Sequence, residues 1–118
     1  MDYIKSPLDQ RTLAFARRVR SFVRGLPRSI ANTEDIKQLI RASGSVGANY
    51  IEANESFSKK DFALRLKISR KEAKEAAYWL ELIDVGDSSE KREEKIALIQ
   101  EATELLKIFS SILKKMTI

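Results

Sequence analysis

At 118 residues, with 43% apolar and 33% charged content, the chain is predicted to form one soluble domain, with no room for a second. It has no cysteine and no histidine, which excludes disulfides, thiol nucleophiles and thiolate metal sites and removes the commonest acid–base side chain. The net charge of +5 favours anionic partners. The lack of an apolar run of about 18 residues, or of a basic-then-apolar leader, predicts a cytoplasmic protein without a membrane span.

Four helices are predicted. The first spans about 7–25: Ser6 is its cap, Pro7 its first residue and Asp9 its third, and Gly25 and Pro27 stop it. Phe15, Val19, Phe22 and Leu26 fall on one face, with Arg17, Arg20 and Arg24 nearly opposite. Up to residue 30 the basic side chains Lys5, Arg11, Arg17, Arg18, Arg20, Arg24 and Arg28 meet only Asp2 and Asp9, so this segment carries the whole net charge. A guanidinium grips phosphate oxygens through two parallel hydrogen bonds. The arginines 11, 17, 18, 20, 24 and 28 are therefore candidate contacts to an RNA or DNA backbone, with an ordinary solvated face as the alternative.

The second helix is predicted over about 33–55, starting after Asn32 or Thr33. Ile36, Leu39, Ile40, Ser43, Val46, Gly47 and Tyr50 share a side, and the interior Gly44 and Gly47 each cost a helix about 1 kcal/mol relative to alanine. Small residues at the centres of helices 2 and 3 predict that these two approach closely. Asn49 and Glu52 lie on one face. With Arg41 and Lys71 they form a candidate polar network that either fixes register or lines a binding pocket.

The third helix, about 59–85, starts at the cap Ser58 and carries the seam Phe62, Leu66, Ser69, Ala73, Ala76, Leu80 and Ile83. Tyr78 and Trp79 are read as core and interface anchors. The basic residues of this helix alternate with acids and pair along it. No run of aromatics lies among exposed basic residues, so backbone and shape rather than base identity are the features to be read.

The fourth helix, about 89–115, follows the break Gly86-Asp87-Ser88-Ser89 and carries two apolar seams. Ile96, Ile99, Thr103, Leu106, Ser110 and Leu113 form one; Leu98, Ala102, Leu105, Phe109, Ile112 and Met116 form the other. Together they cover roughly 200° of the helix surface. That width predicts a homo-oligomer with Leu98, Leu105, Phe109 and Ile112 at the subunit contact. Burial of both seams inside a single bundle is the alternative. The expected fold is all-α, an antiparallel up-and-down four-helix bundle assembling as a symmetric homo-oligomer.

Enzymatic signatures are missing: no phosphate-binding glycine loop, nucleophile elbow or dinucleotide fingerprint occurs, and Glu-x-x-His pairs cannot form without histidine. No catalytic residue, cofactor or metal is expected. An all-oxygen magnesium site drawn from Glu52, Glu55, Asp61, Glu72 and Glu75 stays formally open.

The segments SVGANYIEA, SKKDF and KEAKEAAYWLEL, with Leu39, Arg41, Asn49, Glu52, Lys71, Tyr78 and Trp79 among their residues and flanks, closely resemble the 23S rRNA intervening-sequence protein family. The resemblance implies a small bacterial protein, sometimes encoded within insertions in the large ribosomal RNA gene, that forms a homopentamer of four-helix bundles without established enzymatic activity. The family is also similar to the accessory protein of diversity-generating retroelements, a basic pentamer that engages a reverse transcriptase and nucleic acid. The leading expectation is an oligomeric nucleic-acid or ribonucleoprotein accessory factor. An adaptor whose basic face docks an acidic protein or a polymerase comes second, and a metal-dependent hydrolase third.

Overall fold

In the computed structural model, which describes residues 3–116, the chain forms four helices: α1 (Pro7–Val23), α2 (Ile30–Asn54), α3 (Lys59–Leu82) and α4 (Ser89–Met116). The start of α1 follows from a reciprocal cap. Ser6 Oγ accepts from the Asp9 amide while Asp9 Oδ2 accepts from the Ser6 amide, with Pro7 at the first position. Ser58 likewise accepts from the Asp61 amide to begin α3. α2 begins earlier than the sequence reading places it. Ser29, not Asn32 or Thr33, is the cap and accepts from the Asn32 amide, because the Asn32 side chain is used elsewhere. α3 ends at Leu82 rather than near 85, with Ile83 leaving the helical conformation.

Each helix packs on its chain neighbours, and α4 returns to α1; among the described residues the diagonals α1/α3 and α2/α4 make no close backbone contact. The pairs Arg11–Glu101 and Arg18–Glu94 count down along α4 as they count up along α1, and Arg41–Glu72 and Asn49–Arg65 do the same for α2 and α3, so these neighbours run in opposite directions. Phe15, Val19, Phe22, Leu39, Val46, Leu66, Ala73, Leu80, Leu98, Leu105 and Phe109 fill the core. The close approach expected between α2 and α3 is present: Ser69 Oγ of α3 donates to the main-chain carbonyl of Val46 at 2.9 Å.

Two lysines of α4 close the ends of other helices. Lys91 Nζ donates to Phe22 O at 2.6 Å and lies over the Phe22 ring, and Lys95 Nζ donates to Ile83 O at 2.9 Å and Glu81 O at 3.1 Å. Each places a cation where the last carbonyls of α1 or α3 lack helical partners, which favours both the hydrogen bonds and the helix dipole.

The assignment of an oligomer contact to Leu98, Leu105, Phe109 and Ile112 is corrected. Leu98, Leu105 and Phe109 are fully buried in the chain's own core, and Ile112 packs partly buried against it. A side chain with no remaining surface has nothing to offer a partner. The other seam faces outward in part: Ile96 is 60% exposed, Thr103 is exposed, and Ile99 and Leu106 are half-buried.

Candidate functional site

The six candidate arginines separate into two groups. Arg11 Nε and Nη2 donate to the two carboxylate oxygens of Glu101 at 2.7 and 2.8 Å, and Arg18 Nη2 donates to Glu94 Oε1 at 3.1 Å. The Glu101 hydrogen bond is the main cause holding the Arg11 guanidinium above its ordinary pKa, against the opposing effect of partial burial. These two arginines are turned toward α4 and neutralised there. Arg17, Arg20, Arg24 and Arg28 are exposed and face no carboxylate among the described residues. Arg20 bends back over α2, donating to Ala16 O at 3.0 Å and reaching Ser43 Oγ at 3.5 Å.

Arg17 and Arg20 stand at the edge of a groove of about 430 Å³ between α1 and α2, floored by Leu13, Ala16, Gly44, Gly47, Ala48 and Ile51. Asp9 also lines it. The two interior glycines of α2 both face this side, yet for different reasons. A Cβ at Gly47 would lie 2.8 Å from Thr12 Oγ1 and 3.1 Å from Thr12 Cβ, whereas a Cβ at Gly44 would meet only the tip of Arg20, at 3.5 Å. Thr12 is buried and held by its hydroxyl on Asp9 O, so it cannot yield. Gly47→Ala is therefore expected to lower stability by about 1–2 kcal/mol despite the better helix propensity of alanine, because overpacking costs about 1–3 kcal/mol. Gly44→Ala is expected to raise it by up to about 1 kcal/mol. Thermal melts of the two variants check both signs.

The four residues of the proposed polar network do not come together. Arg41 Nη1 and Nη2 donate to Glu72 at 3.2 Å each, Nη2 also reaches Glu75 at 3.2 Å, and Lys71 lies 3.8 Å from Glu75. The bonds to the buried Glu72 are the main cause raising the Arg41 pKa above its ordinary value. Asn49 belongs to a separate set: its Nδ2 donates to Ser45 O and its Oδ1 accepts from Arg65 Nη1 at 3.3 Å. Glu52 is exposed and joins neither set. Arg41 and Glu52 share a face of α2 but stand three turns apart, about 16 Å along the axis. Sequence reading missed Glu72 and Glu75 as the partners of Arg41, although their spacing of three placed both on one edge of α3.

Among the described residues no group of three or more acidic, histidine or cysteine side chains is placed to hold a metal ion, and no helix is long and apolar enough to cross a membrane. Fold and surface thus define a small four-helix bundle with an arginine-bearing edge on α1 and an apolar groove beside it. The chain belongs to the 23S rRNA-intervening sequence protein family, whose model matches residues 7–111. It is also similar to the crystal structure of a protein of unknown function from the S23 ribosomal protein family of Bacteroides thetaiotaomicron VPI-5482. That likeness has 31% identity and a TM-score of 0.74, and covers 91% of this chain and 98% of the other. No curated protein matches the chain.

Proposed function

We propose that the chain is a non-enzymatic, single-domain cytoplasmic bundle that assembles as a symmetric homo-oligomer, a pentamer in keeping with the family resemblance, and binds the sugar–phosphate backbone of RNA or DNA as an accessory factor. One observation carries this reading: four arginines, Arg17, Arg20, Arg24 and Arg28, lie along one helix and its following loop without a neutralising carboxylate, while their neighbours Arg11 and Arg18 are neutralised. Guanidinium groups left free in this way suit bidentate phosphate contacts, and symmetric repetition multiplies their field.

The test is a titration of a labelled structured RNA and an equal-length DNA duplex across a series of salt concentrations. Affinity is expected to fall linearly in log salt, and removing one arginine–phosphate pair should flatten the slope by about 0.9 on duplex DNA. The Arg17→Glu/Arg20→Glu/Arg24→Glu variant is expected to lose at least about tenfold in affinity at physiological salt and to show a shallower slope. Unchanged binding by that variant refutes the assignment. The second reading, an adaptor whose basic face docks an acidic protein or a polymerase, draws on the same four exposed arginines. A nuclease-resistant protein complex that is lost on the triple charge reversal would favour it.

A further inference from the structure

We propose that the α1–α2 groove seats the outer ridge of α4 from a second copy of this chain, so that the subunits join head to tail through two different surfaces. This rests on the oligomeric reading above and goes beyond it by naming the surfaces that meet. Three features of the groove call for an occupant. Gly44 lies in the middle of a helix, where glycine costs about 1 kcal/mol, yet nothing rigid in its own chain needs the missing Cβ. A glycine so placed leaves the α2 backbone open to close approach from outside.

Asp9 provides the second feature. It is 4% exposed, its Oδ2 accepts the amides of Lys5 and Ser6, and its Oδ1 is buried without a hydrogen-bond partner. A buried carboxylate oxygen in this condition is destabilising, and a cation seated in the groove that Asp9 lines offsets its charge through space without a direct hydrogen bond. The third feature is polarity. With Asp9 toward one end and Arg17 and Arg20 toward the other, about 12–16 Å away along α1, the groove fits a helix carrying a cation at one end and a carboxylate at the other.

The chain carries such a helix on its own surface. Glu93, Ile96, Gln100, Thr103 and Lys107 are all exposed and step by three and four along α4, which makes them one ridge. The ridge points away from the core-facing residues Leu98, Leu105 and Phe109, and Ile96 is its apolar centre. Neither Glu93 nor Lys107 has an ion-pair partner among the described residues. They stand about 21 Å apart along the axis, a span that the flexible lysine and arginine side chains bring into line with the groove. With Lys107 at Asp9 and Glu93 at Arg17 and Arg20, the incoming helix runs opposite to α1, and its one carboxylate offsets only one of the four positive charges of Arg17, Arg20, Arg24 and Arg28, so the assembled edge stays cationic. The ridge lies on the side of α4 turned away from the core and the groove lies between α1 and α2, so they are separate surfaces, and the contact is heterologous and is satisfied at every subunit when the assembly closes into a ring.

Complementation tests this pairing. Gly44→Leu fills the groove and leaves the ridge intact, while Ile96→Glu/Lys107→Glu disables the ridge and leaves the groove intact. Measured by light scattering at micromolar concentration, the wild type is expected to be oligomeric and each variant monomeric with unchanged helicity. A mixture of the two variants should form a 1:1 pair, since one good groove and one good ridge remain. A wild type that is itself monomeric overturns the oligomeric reading and this proposal together. An oligomeric wild type with either variant still oligomeric, or with a mixture that stays monomeric, overturns this proposal alone. Should Gly44→Leu lose helicity, the surface variant Ile96→Glu/Lys107→Glu decides by itself, and an intact oligomer rejects the ridge.

Discussion

Phe109→Ala is expected to lower the unfolding free energy by about 3–5 kcal/mol, a drop in melting temperature on the order of 15 °C for a chain of this size. Phe109 is fully buried, and its ring centroid lies 5.9 Å from that of Tyr50 on α2, tilted by 43°. Truncation removes that aromatic contact and leaves a cavity that the neighbouring Leu105 and Leu113 on the same face of α4 fill only in part. Had Phe109 stood at a subunit contact, as its place in the second seam of α4 first implied, the same change would dissociate an oligomer and leave folded monomers. Circular dichroism melts at two protein concentrations, read beside the mass in solution, separate the outcomes, because only the dissociating case leaves folded monomers whose melting temperature no longer depends on concentration. A folded, thermally unchanged monomer would reject the core assignment. Ile96→Ala on the outer seam is expected to shift the folding stability of the isolated subunit by less than about 0.5 kcal/mol.

The contrast between these two positions explains how much of the molecule was legible beforehand. Periodicity of three and four identifies a seam but not what lies against it, and α4 carries two seams of similar hydrophobicity. Which of them turns inward depends on how α1 and α3 seat α4, and part of that seating comes from polar contacts. Glu94 and Glu101 are seven residues apart, as are Arg18 and Arg11, and this matched spacing in two antiparallel helices was visible in the chain. Recognising it would have set the inward edge of α4 and removed two arginines from the free basic stripe. The caps Ser6 and Ser58 were readable because capping is local chemistry, closed within three residues. The lysine closures of α1 and α3 by Lys91 and Lys95 were not, because they join residues brought together only by the bundle.

The candidate site follows the same rule. That the arginines of α1 concentrate the positive charge was plain from composition, but their division into neutralised and free groups needed the fold. Gly44 and Gly47 looked equivalent as interior glycines. Only the position of Thr12 shows that one answers to close packing inside the chain and the other does not. The network around Arg41 and Glu52 failed for a different reason: a helical wheel collapses the axis, so residues on one face at different heights are drawn as neighbours.

Asn32→Ala carries the other large expectation, a loss of about 2–4 kcal/mol with the chain otherwise unchanged in surface charge. Asn32 is 2% exposed; its Nδ2 donates to Pro27 O and Asp84 O, both at 2.9 Å, and its Oδ1 accepts from the Asp84 amide at 3.0 Å. One side chain thus ties the α1–α2 loop to the exit of α3, 52 residues away in sequence. The turn it holds is completed by Gly86, which has a φ of +67°, donates its amide to Asp84 Oδ1 at 2.9 Å and rests against Pro27. Alanine would leave two carbonyls and one amide in this joint without protein partners, and each buried group so stranded costs on the order of 1–3 kcal/mol, reduced here by the water that reaches a partly buried site. Urea titration should show a lower midpoint with an unchanged slope, since the surface exposed on unfolding is the same. Asn32→Asp sharpens the test. It keeps an acceptor for the Asp84 amide but turns an oxygen toward the two carbonyls, so it should be at least as damaging as alanine. An aspartate variant as stable as the wild type would mean that the amide nitrogen does not bridge the two loops. Because the same joint fixes the loop bearing Arg28, a destabilised Asn32→Ala protein that still binds nucleic acid with wild-type affinity in the cold would show that the binding edge needs α1 alone and not the position of that loop.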